Sequence, residues 1–498
     1  MRVSWRNLGV FIILILLSGL SAPYAMAKRH WHHHNHTYQP PATQLISGKQ
    51  NLSEEIDRII NGTNPNLNIG VQVKSMTYGD TLYTRNEQRS FVPASIIKIF
   101  TAESALLLLG PNYKFPTSFV TDAKAVNGGV INGNLYLILT GDPSLTYYDL
   151  EDMMASLKSQ HIQQINGNVY IDSTAYDQEI YGPGWVWNDK RFCYAAPISA
   201  SIINHNCLTF QVRPGKLGRS ANIVDSTGYV NPSIQNNVLT RSSSSSTCRI
   251  RLGPGENNAI VVSGCMPKGR RTQGISSVIT DVMYYNKALV TRLLSRYGVR
   301  VNGSVTTGAA PGKPTILAVH ESSPLHDLIT QMLKKSDNII AGSLFKKVGE
   351  VYTKQPGSWE NGSSAVTRIL STQMGVNTWR INITDGSGLS RYNLITPSQM
   401  IRVLDFAFHH HGTNYEFISA LPVAGVDGTL KHRLYNVAWK VRAKTGTMTG
   451  VVALAGYAIN RDKEPLAFVI IVNGRMGLGW KYKGIEDQIV TALTRYTR

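Results

Sequence analysis

The chain has 498 residues and a formal net charge of +19 at pH 7. Its length predicts roughly three domains. Beyond the first residues no segment is long and apolar enough to cross a bilayer, which excludes a multi-spanning membrane protein. The basic residues are scattered rather than clustered, which argues against a nucleic-acid partner and leaves a peripheral electrostatic contact with an anionic envelope surface as the modest interpretation.

The N-terminus resembles a secretory signal covering residues 1–27. Arg2 and Arg6 form its basic part, Leu8–Leu20 its apolar core, and Ala25-Met-Ala27 a small-residue cleavage site. We therefore expect an exported, periplasmic protein whose signal is cleaved, with an uncleaved anchor as the alternative. Cleavage removes the two arginines and lowers the net charge from +19 to +17.

A His-rich segment, residues 28–45, follows the signal. Its histidines are His30, His32, His33, His34 and His36. Such a tract can bind divalent metal, but the composition favours a disordered linker ending near Pro40-Pro41. We therefore predict no metal site and no cofactor.

The first predicted elements are a hairpin and a buried helix. Val71–Lys74 and Thr81–Thr84 form the hairpin, and the apolar run up to Gly110 forms a helix that begins beside Ser95. Ser95 and Lys98 are three residues apart, so they lie on one helix face. Ser95 could be a simple cap and Lys98 a surface lysine. However, Lys98 is flanked by apolar residues, and desolvation would favour the neutral amine that a general base requires.

The middle of the chain reads as short strands rich in Gly, Asn and Ser, such as Asn134–Leu139 and Asn168–Ile171, with a low-complexity loop at Ser242–Ser246 and no internal repeat. All four cysteines fall in this region. Of the three possible pairings the two local ones, Cys193–Cys207 and Cys248–Cys265, are favoured, and neither pair has the spacing of zinc ligands.

Two further motifs follow in the last third. Ser336-Asp-Asn338 lies between two helical patterns, so Ser336 and Asn338 are expected on a short turn, where they could also be ordinary caps. Lys444-Thr-Gly446 lies in the first of three β-prone runs, Ala438–Thr447, Val451–Ile459 and Leu466–Asn473, before a C-terminal helix over Ile485–Leu493. Both S-x-x-K and S-x-N also recur elsewhere in the chain, so neither is specific alone.

The combination of Ser95-Ile-Ile-Lys98, Ser336-Asp-Asn338 and Lys444-Thr-Gly446 is the signature set of serine β-lactamases and penicillin-binding proteins. From about Ile46 to the C-terminus the chain resembles the low-molecular-mass class C penicillin-binding proteins, the D-alanyl-D-alanine carboxypeptidase/endopeptidases. The resemblance also rests on four further stretches: Gly141-Asp-Pro143, Gly184-Trp-Val-Trp-Asn-Asp189, Asp385-Gly-Ser-Gly-Leu-Ser-Arg391 and Leu421-Pro-Val-Ala-Gly-Val-Asp-Gly-Thr-Leu430.

This resemblance implies an α+β fold in which helices flank an antiparallel sheet, as in serine β-lactamases and penicillin-binding proteins, with nested β-rich domains inserted. The expected catalytic domain is split into residues 46–120 and 317–498. An inserted domain covers residues 121–200 and 282–316, and a second domain nested within it covers residues 201–281.

The resemblance also implies the roles of the motif residues. Ser95 is the expected nucleophile, Lys98 its base, and Ser336 the relay of a proton to the departing amine. Asn338 would hold the acyl-side amide. Lys444 and Thr445 would bind the terminal carboxylate of the substrate, and the backbone N–H groups of Ser95 and Thr447 would form the oxyanion hole. Gly446 would let the substrate backbone approach the strand.

Asp189, Tyr194 and Arg391 are expected to line a pocket for the side chain of the stem peptide, where a plain Asp–Arg ion pair is the structural alternative. The implied partners are peptidoglycan stem peptides and β-lactam antibiotics. A β-lactam-hydrolysing enzyme, a non-catalytic wall-binding protein and a metal-binding envelope protein are the alternatives, but no motif residue is missing and the 241-residue gap from Ser95 to Ser336 exceeds that of a simple β-lactamase.

Overall fold

The structure is a computed structural model that describes residues 45–64, 66–225, 233–242, 248–255, 259–474 and 479–498. The signal sequence, nearly all of the His-rich segment and most of the Ser242–Ser246 loop lie outside the described residues. Residues 45–498 form one compact unit.

The described part of the chain contains ten α-helices. They are α1 (Lys49–Thr63), α2 (Lys98–Leu109), α3 (Tyr147–Ser159), α4 (Val282–Arg296), α5 (Leu325–Lys335), α6 (Asn338–Thr353), α7 (Trp359–Thr372), α8 (Pro397–His409), α9 (Asn414–Ala420) and α10 (Gly479–Arg495).

The same residues form 22 β-strands, many of them short. They are β1 (Ile46–Ser47), β2 (Ile69–Ser75), β3 (Thr81–Arg85), β4 (Pro116–Thr121), β5 (Val126–Asn127), β6 (Val130–Ile131), β7 (Leu135–Leu139), β8 (Gln164–Ile165), β9 (Val169–Asp172), β10 (Cys207–Arg213), β11 (Asn222–Asp225), β12 (Ile234–Arg241), β13 (Ile250–Pro254), β14 (Ile260–Pro267), β15 (Gln273–Val278), β16 (Arg300–Val301), β17 (Val305–Thr307), β18 (Thr315–Glu321), β19 (Val441–Met448), β20 (Val451–Ile459), β21 (Pro465–Asn473) and β22 (Tyr496–Thr497).

A five-stranded antiparallel sheet of order β19-β20-β21-β2-β3 joins the two ends of the described chain. Its central strands are buried on both faces because helices cover both. Ala453 and Ala455 belong to the apolar core that includes α2 and α5–α9, whereas Val452 and Leu454 belong to the core that includes α1 and α10. This alternation is the two-residue period of a strand between two apolar layers. It confirms the predicted sheet flanked by helices.

Helix α2 lies at the centre of one of these cores, with every side chain from Lys98 to Leu106 buried. A helix that is apolar almost all round is a core helix rather than a surface helix. Gly110, with φ 81°, ends it. The predicted buried helix is therefore present, although its first turn, Ala94–Ile97, is a 3₁₀ turn.

The middle of the chain builds a third core over four smaller sheets. Two of them, of order β17-β9-β7-β4-β18 and β16-β8-β6-β5, pack with α3 and α4; the other two have the orders β11-β10-β15 and β12-β14-β13. Both local disulfides form, Cys193–Cys207 and Cys248–Cys265. β4 pairs with β7 and β18, across the predicted boundary at residue 120. The domain boundaries themselves stay predictions.

The expectation of no internal repeat is wrong. Three Asn-Gly turns, at Asn132, Asn166 and Asn302, stack in register and each is flanked by short parallel strands. Asn166 Nδ2 donates to Asn132 Oδ1 (2.7 Å) and Asn302 Nδ2 donates to Asn166 Oδ1 (2.9 Å). The three turns are separated by 34 and 136 residues along the chain, so no constant period marks the repeat.

Candidate active site

The candidate nucleophile Ser95 lies in the tight turn that leads into α2. Its neighbours Ala94, Ile96 and Ile97 are buried, whereas Ser95 is partly exposed. Ala94 has a φ of 49°, in the left-handed region that is costly for a non-glycine residue. Packing around the turn therefore holds it in a strained conformation in which Ser95 is the one residue of Ala94–Ile97 that is not buried.

The Lys98 amine is buried and surrounded by oxygen atoms. Its Nζ lies 3.0 Å from Ser95 Oγ and 2.6 Å from Asn338 Oδ1, and it also hydrogen-bonds the Ser387 carbonyl. Burial lowers the pKa of Lys98 to about 7, while the Asp385 and Asp337 carboxylates oppose that shift. The Asn338 and Ser387 oxygens can only accept hydrogen bonds. In the structure the amine also donates to Ser95 Oγ, which itself donates to the Ser387 carbonyl. A neutral amine that keeps its two N–H groups on the Asn338 and Ser387 oxygens would direct its lone pair at Ser95 Oγ.

The second motif occupies the turn between α5 and α6, as predicted. Ser336 has φ 59° and ψ 40°, and Asp337 caps α6 by accepting from the backbone N–H of Ile339 and Ile340. Asn338 Oδ1 faces Lys98 because its Nδ2 donates to the Tyr194 carbonyl (2.8 Å). The turn thus projects Ser336 and Asn338 toward the same group of side chains.

The third motif lies on the edge strand β19, beside the Ser95 turn. A Cβ on Gly446 would lie 2.8 Å from the Pro93 carbonyl oxygen and 3.2 Å from Ser95 N, so only glycine allows this approach. Lys444 Nζ donates to Ser336 Oγ (2.9 Å) and to the Thr445 carbonyl (2.8 Å). Burial, and secondarily the charge of Lys98, holds the pKa of Lys444 well below its usual range. Thr445 and Thr447 lie on the opposite face of the strand.

The predicted side-chain pocket is only partly assembled as expected. We define the recognition loop as Trp187–Ala195, two consecutive 3₁₀ turns. Within it Tyr194 OH donates to Asp189 Oδ1 (2.9 Å), and Asn338 bonds the Tyr194 carbonyl. Arg391 instead donates to the Thr449 carbonyl (2.6 Å). The ion pairs of the described residues do not include one between Asp189 and Arg391.

The structure adds Asp385 and Ser387, which sequence reasoning did not single out. Both are fully buried. The Ser387 carbonyl contacts both Lys98 Nζ and Ser95 Oγ, the latter at 3.3 Å. Because the contact is made by a backbone oxygen, the identity of residue 387 carries no direct signal for it. The quoted Asp385–Arg391 stretch was the available clue.

The competing S-x-x-K copy, Ser343 and Lys346, does not form a similar pair. Ser343 Oγ is buried against the Gly141 carbonyl and Tyr176. Lys346 Nζ donates to Asp177 Oδ1 (2.6 Å) and to the Glu179 carbonyl (2.7 Å). Each of these two side chains is therefore bonded to groups between residues 141 and 179, away from the Ser95 turn.

Comparison with known proteins agrees with the geometry. The sequence matches the D-Ala-D-Ala carboxypeptidase 3 (S13) family over residues 52–496. This protein belongs to that family. The D-alanyl-D-alanine carboxypeptidase DacB of Haemophilus influenzae is 33% identical over 429 residues, covering 85% of this chain and 88% of that protein. The D-alanyl-D-alanine carboxypeptidase of an Actinomadura species is 31% identical over 477 residues, covering 92% and 87%.

Solved structures support the same assignment. The crystal structure of penicillin binding protein 4 (dacB) from Haemophilus influenzae aligns with a TM-score of 0.79 at 32% identity, covering 88% of this chain and 97% of that one. A structure of the same protein complexed with a novel β-lactam aligns with a TM-score of 0.74 at 30% identity, covering 87% and 98%. The predicted family and fold class are confirmed.

Proposed function

We propose that this protein is an exported serine DD-peptidase of peptidoglycan. It cleaves the D-Ala-D-Ala bond of stem peptides as a carboxypeptidase and the D-Ala–diaminopimelate cross-link as an endopeptidase. The observation that carries the proposal is the buried Lys98 amine, which lies 3.0 Å from Ser95 Oγ and whose pKa is lowered to about 7. Two relatives described as D-alanyl-D-alanine carboxypeptidases support the substrate class.

In the first step Ser95 Oγ attacks the carbonyl carbon of the penultimate D-Ala. The hydroxyl proton passes to the lone pair of Lys98, which Asn338 and the Ser387 carbonyl leave directed at Ser95. A base whose pKa is near the working pH is effective because it is both unprotonated and sufficiently basic. The product of attack is a tetrahedral oxyanion bonded to Ser95.

The oxyanion needs hydrogen-bond donors where negative charge develops. The backbone N–H groups of Ser95 and Thr447 are the proposed donors, and the close approach of Gly446 to Ser95 N supports placing them together. One such donor is worth on the order of 10²–10³ in rate.

Collapse of the intermediate breaks the C–N bond and leaves an acyl group on Ser95. The proton that Lys98 took from Ser95 passes through Ser336 Oγ to the departing amine, so Lys98 is neutral again before hydrolysis. Ser336 Oγ is held for this relay by a hydrogen bond from Lys444. Asn338 holds the amide on the acyl side. Water then hydrolyses the ester and returns the proton to Ser95; no separate deacylating carboxylate is assigned.

The terminal carboxylate of the substrate is placed at the exposed face of β19, against Thr445 and Thr447. Lys444 itself is fully buried and already donates to Ser336 and to the Thr445 carbonyl. Its role is therefore to hold the Ser336 hydroxyl and the Thr445 backbone in place rather than to contact the carboxylate directly. Gly446 keeps the strand close to the Ser95 turn.

Cross-link cleavage requires a site for a diaminopimelate side chain, which ends in an ammonium and a carboxylate. The recognition loop supplies the Asp189 carboxylate and the Tyr194 hydroxyl, and Arg391 supplies a guanidinium. Asp189 and Arg391 are not paired with each other, so each can bind one end of the substrate. Charge-assisted hydrogen bonds of this kind discriminate against a neutral side chain.

A β-lactam contains an amide that mimics the D-Ala-D-Ala bond, so the same serine would be acylated by penicillin. The β-lactam complex of the Haemophilus influenzae relative supports this partner. For location, we propose export to the periplasm from the N-terminal signal pattern. Across the described residues no helix has the length and apolarity needed to span a membrane.

Labelling with fluorescent penicillin and peptide mapping tests the nucleophile. We expect one adduct, on Ser95, and loss of both labelling and peptidase activity in Ser95→Ala. Ser343→Ala is the matched control, since it removes the serine of the other S-x-x-K copy and should retain the label. An adduct on Ser343 would overturn the assignment.

Digestion of purified peptidoglycan tests the substrate. Mass spectrometry should detect free D-Ala and conversion of cross-linked dimers into monomers, both blocked by prior penicillin treatment. Rapid penicillin hydrolysis without cleavage of either peptide bond would instead indicate a β-lactamase. Release of D-Ala alone would leave a carboxypeptidase and remove the endopeptidase part of the proposal.

A further inference from the structure

The most completely bonded carboxylate near the site is Asp385, which the mechanism above does not use. Its Oδ2 accepts from Trp185 Nε1 (2.7 Å) and Ser387 Oγ (2.7 Å), and its Oδ1 accepts from Gly388 N (2.9 Å) and Asn393 Nδ2 (2.7 Å). The side chain is 0% exposed. Four partners that all donate match the acceptor-only inventory of a carboxylate anion.

These bonds fix the position of the Ser387 carbonyl. Ser387 is tied to Asp385 through its hydroxyl, while its carbonyl oxygen accepts from Lys98 Nζ and Ser95 Oγ. The next residue, Gly388, has φ 87°, and a Cβ there would lie 2.2 Å from the Ala94 carbonyl oxygen. The loop is therefore pressed against the backbone of the Ser95 turn, where a small displacement would move an atom that contacts both reacting side chains.

Two carboxylates act on the Lys98 amine from the elements packed around it: Asp385 from the loop before α8 and Asp337 from the turn before α6. The third titratable group of the site is Lys444 from β19, whose pKa burial and the charge of Lys98 lower. Asp337 also caps α6 and lies 3.5 Å from His205 Nδ1. The charge of Asp385 raises the pKa of Lys98 against the larger effect of burial, and it is the leading one of the two anionic contributions.

We propose that Asp385 is a positioning residue for acylation: its carboxylate holds the Ser387 carbonyl against Lys98 and Ser95 and places a buried negative charge near the Lys98 amine. The proposal rests on the proposed function, because it assumes that Ser95 is acylated with Lys98 as base. Asp385 acts through Ser387 and Lys98 and does not touch the substrate.

Asp385 acts in two separable ways: its hydrogen bond to the Ser387 hydroxyl fixes the position of the Ser387 carbonyl, and its negative charge acts on the Lys98 amine. Ser387→Ala removes the hydroxyl tether but keeps both the carbonyl and the Asp385 charge. It should lower the plateau rate of acylation, by about 10- to 100-fold if the carbonyl shifts by ~1 Å. The acid limb of its pH–rate profile, the range in which acylation slows as the pH falls, should keep the wild-type midpoint.

Asp385→Asn keeps the size of the side chain and removes its charge. Without that anion the protonated amine of Lys98 is less stable, so its pKa falls further. Acylation requires the neutral amine, and the acid limb of kcat/KM should therefore move to lower pH while the plateau also falls. A residue that merely held the loop would lower the plateau and leave the acid limb in place.

The experiment measures acylation by fluorescent penicillin from pH 5 to 9 in the full-length enzyme and its variants. The matched control is Asp172→Asn in β9, a buried carboxylate that accepts from Thr174 N, Thr174 Oγ1 and Ala310 N. It should leave both the plateau and the acid limb unchanged. A direct titration of lysine Cε by carbon NMR, with Lys98→Arg to assign the signal, gives a readout independent of turnover.

An acid limb in Asp385→Asn that coincides with the wild-type limb overturns the charge claim, and a wild-type plateau in Ser387→Ala overturns the geometric claim. If Asp385→Asn does not fold, the Ser387→Ala plateau still decides whether the tether matters. Absence of a Ser95 adduct in the wild-type enzyme would mean that the proposed function itself fails, which is a different result from a labelled wild type with unshifted variants.

Discussion

Replacing Lys98 by Met should slow acylation strongly and remove the cost of burying a charged amine in the fold. Methionine is close to lysine in length but is neither basic nor charged. Loss of a general base costs typically 10²–10⁴-fold in rate, so acylation should slow by about that factor. Because the Ser95 hydroxyl and the carboxylate site remain, substrate binding should change much less than the acylation rate.

The stability change follows from the pKa of Lys98, about 7 in the fold against an ordinary value of 10.5. The difference of about 3.5 corresponds to a cost of about 5 kcal/mol for keeping the charged amine in the fold, at 1.36 kcal/mol per pKa unit. Methionine removes this cost but leaves Asn338 Oδ1 and the Ser387 carbonyl each short of a donor, at about 1–3 kcal/mol per group. The two effects nearly cancel, and the middle of these ranges leaves a net gain of about 1 kcal/mol at pH 7.

The pH dependence of this gain carries the sharper sign. A lysine whose pKa is lowered by folding is protonated in both states below about pH 7, where its cost is complete. Between pH 7 and 10.5 the unfolded chain binds more protons than the folded protein, so the cost declines as pH rises. The advantage of Lys98→Met over wild type should therefore be about 2 kcal/mol smaller at pH 9 than at pH 7.

Urea denaturation at several pH values, with stopped-flow acylation by fluorescent penicillin, measures both effects. Lys346→Met is the matched control, since Lys346 is equally buried but paired with Asp177. Breaking that pair leaves a carboxylate without its partner, so this variant should lose stability and still acylate. Parental acylation by Lys98→Met, or a stability difference that is constant with pH, would refute the reasoning.

Three further outcomes are expected. Ser336→Gly should be as stable as wild type, because glycine tolerates φ 59°, yet lose about 10²-fold or more in peptide acylation with the proton relay; a wild-type rate would place the relay elsewhere. Asp189→Ala, or Ser at both Cys193 and Cys207, should raise KM for diaminopimelate peptides and barely change penicillin acylation, and equal losses on both substrates would mean that the loop only supports the fold. Deletion of residues 28–41 should leave kcat intact and remove retention on immobilised nickel, whereas a large loss of kcat would show that the segment contacts the enzyme.

The sequence was sufficient to identify the chemistry because each motif depends on short-range geometry. Ser95 and Lys98 are one helical turn apart, and the apolar residues that follow them predict a buried helix. Ser336 and Asn338 flank Asp337, which caps α6. Asp is favoured at a helix N-cap, so a turn between two helical patterns could be predicted from the sequence. Gly446 allows β19 to pack closely against the Ser95 turn.

What the sequence did not reveal was long-range or made by the backbone. The contacts of the Ser387 carbonyl with Lys98 and Ser95 link positions nearly 300 residues apart through an atom that every residue possesses. Arg391 was expected to lie with Asp189, but its guanidinium donates to the Thr449 carbonyl instead. That contact depends on how distant loops pack together, which the sequence does not show. The stack of three Asn-Gly turns was missed because α4 and the strands of other sheets lie between Asn166 and Asn302 in the sequence.

Burial connects the fold to the catalytic chemistry. Helices on one face of the sheet enclose α2 on all sides, and the Lys98 amine is desolvated because that helix has no solvent-facing surface at its N-terminal end. The same enclosure buries Lys444 and lowers its pKa, and the charge of Lys98 lowers it further. The low pKa of the base is thus a consequence of how the sheet is covered, and the neighbouring carboxylates limit how far burial can lower it.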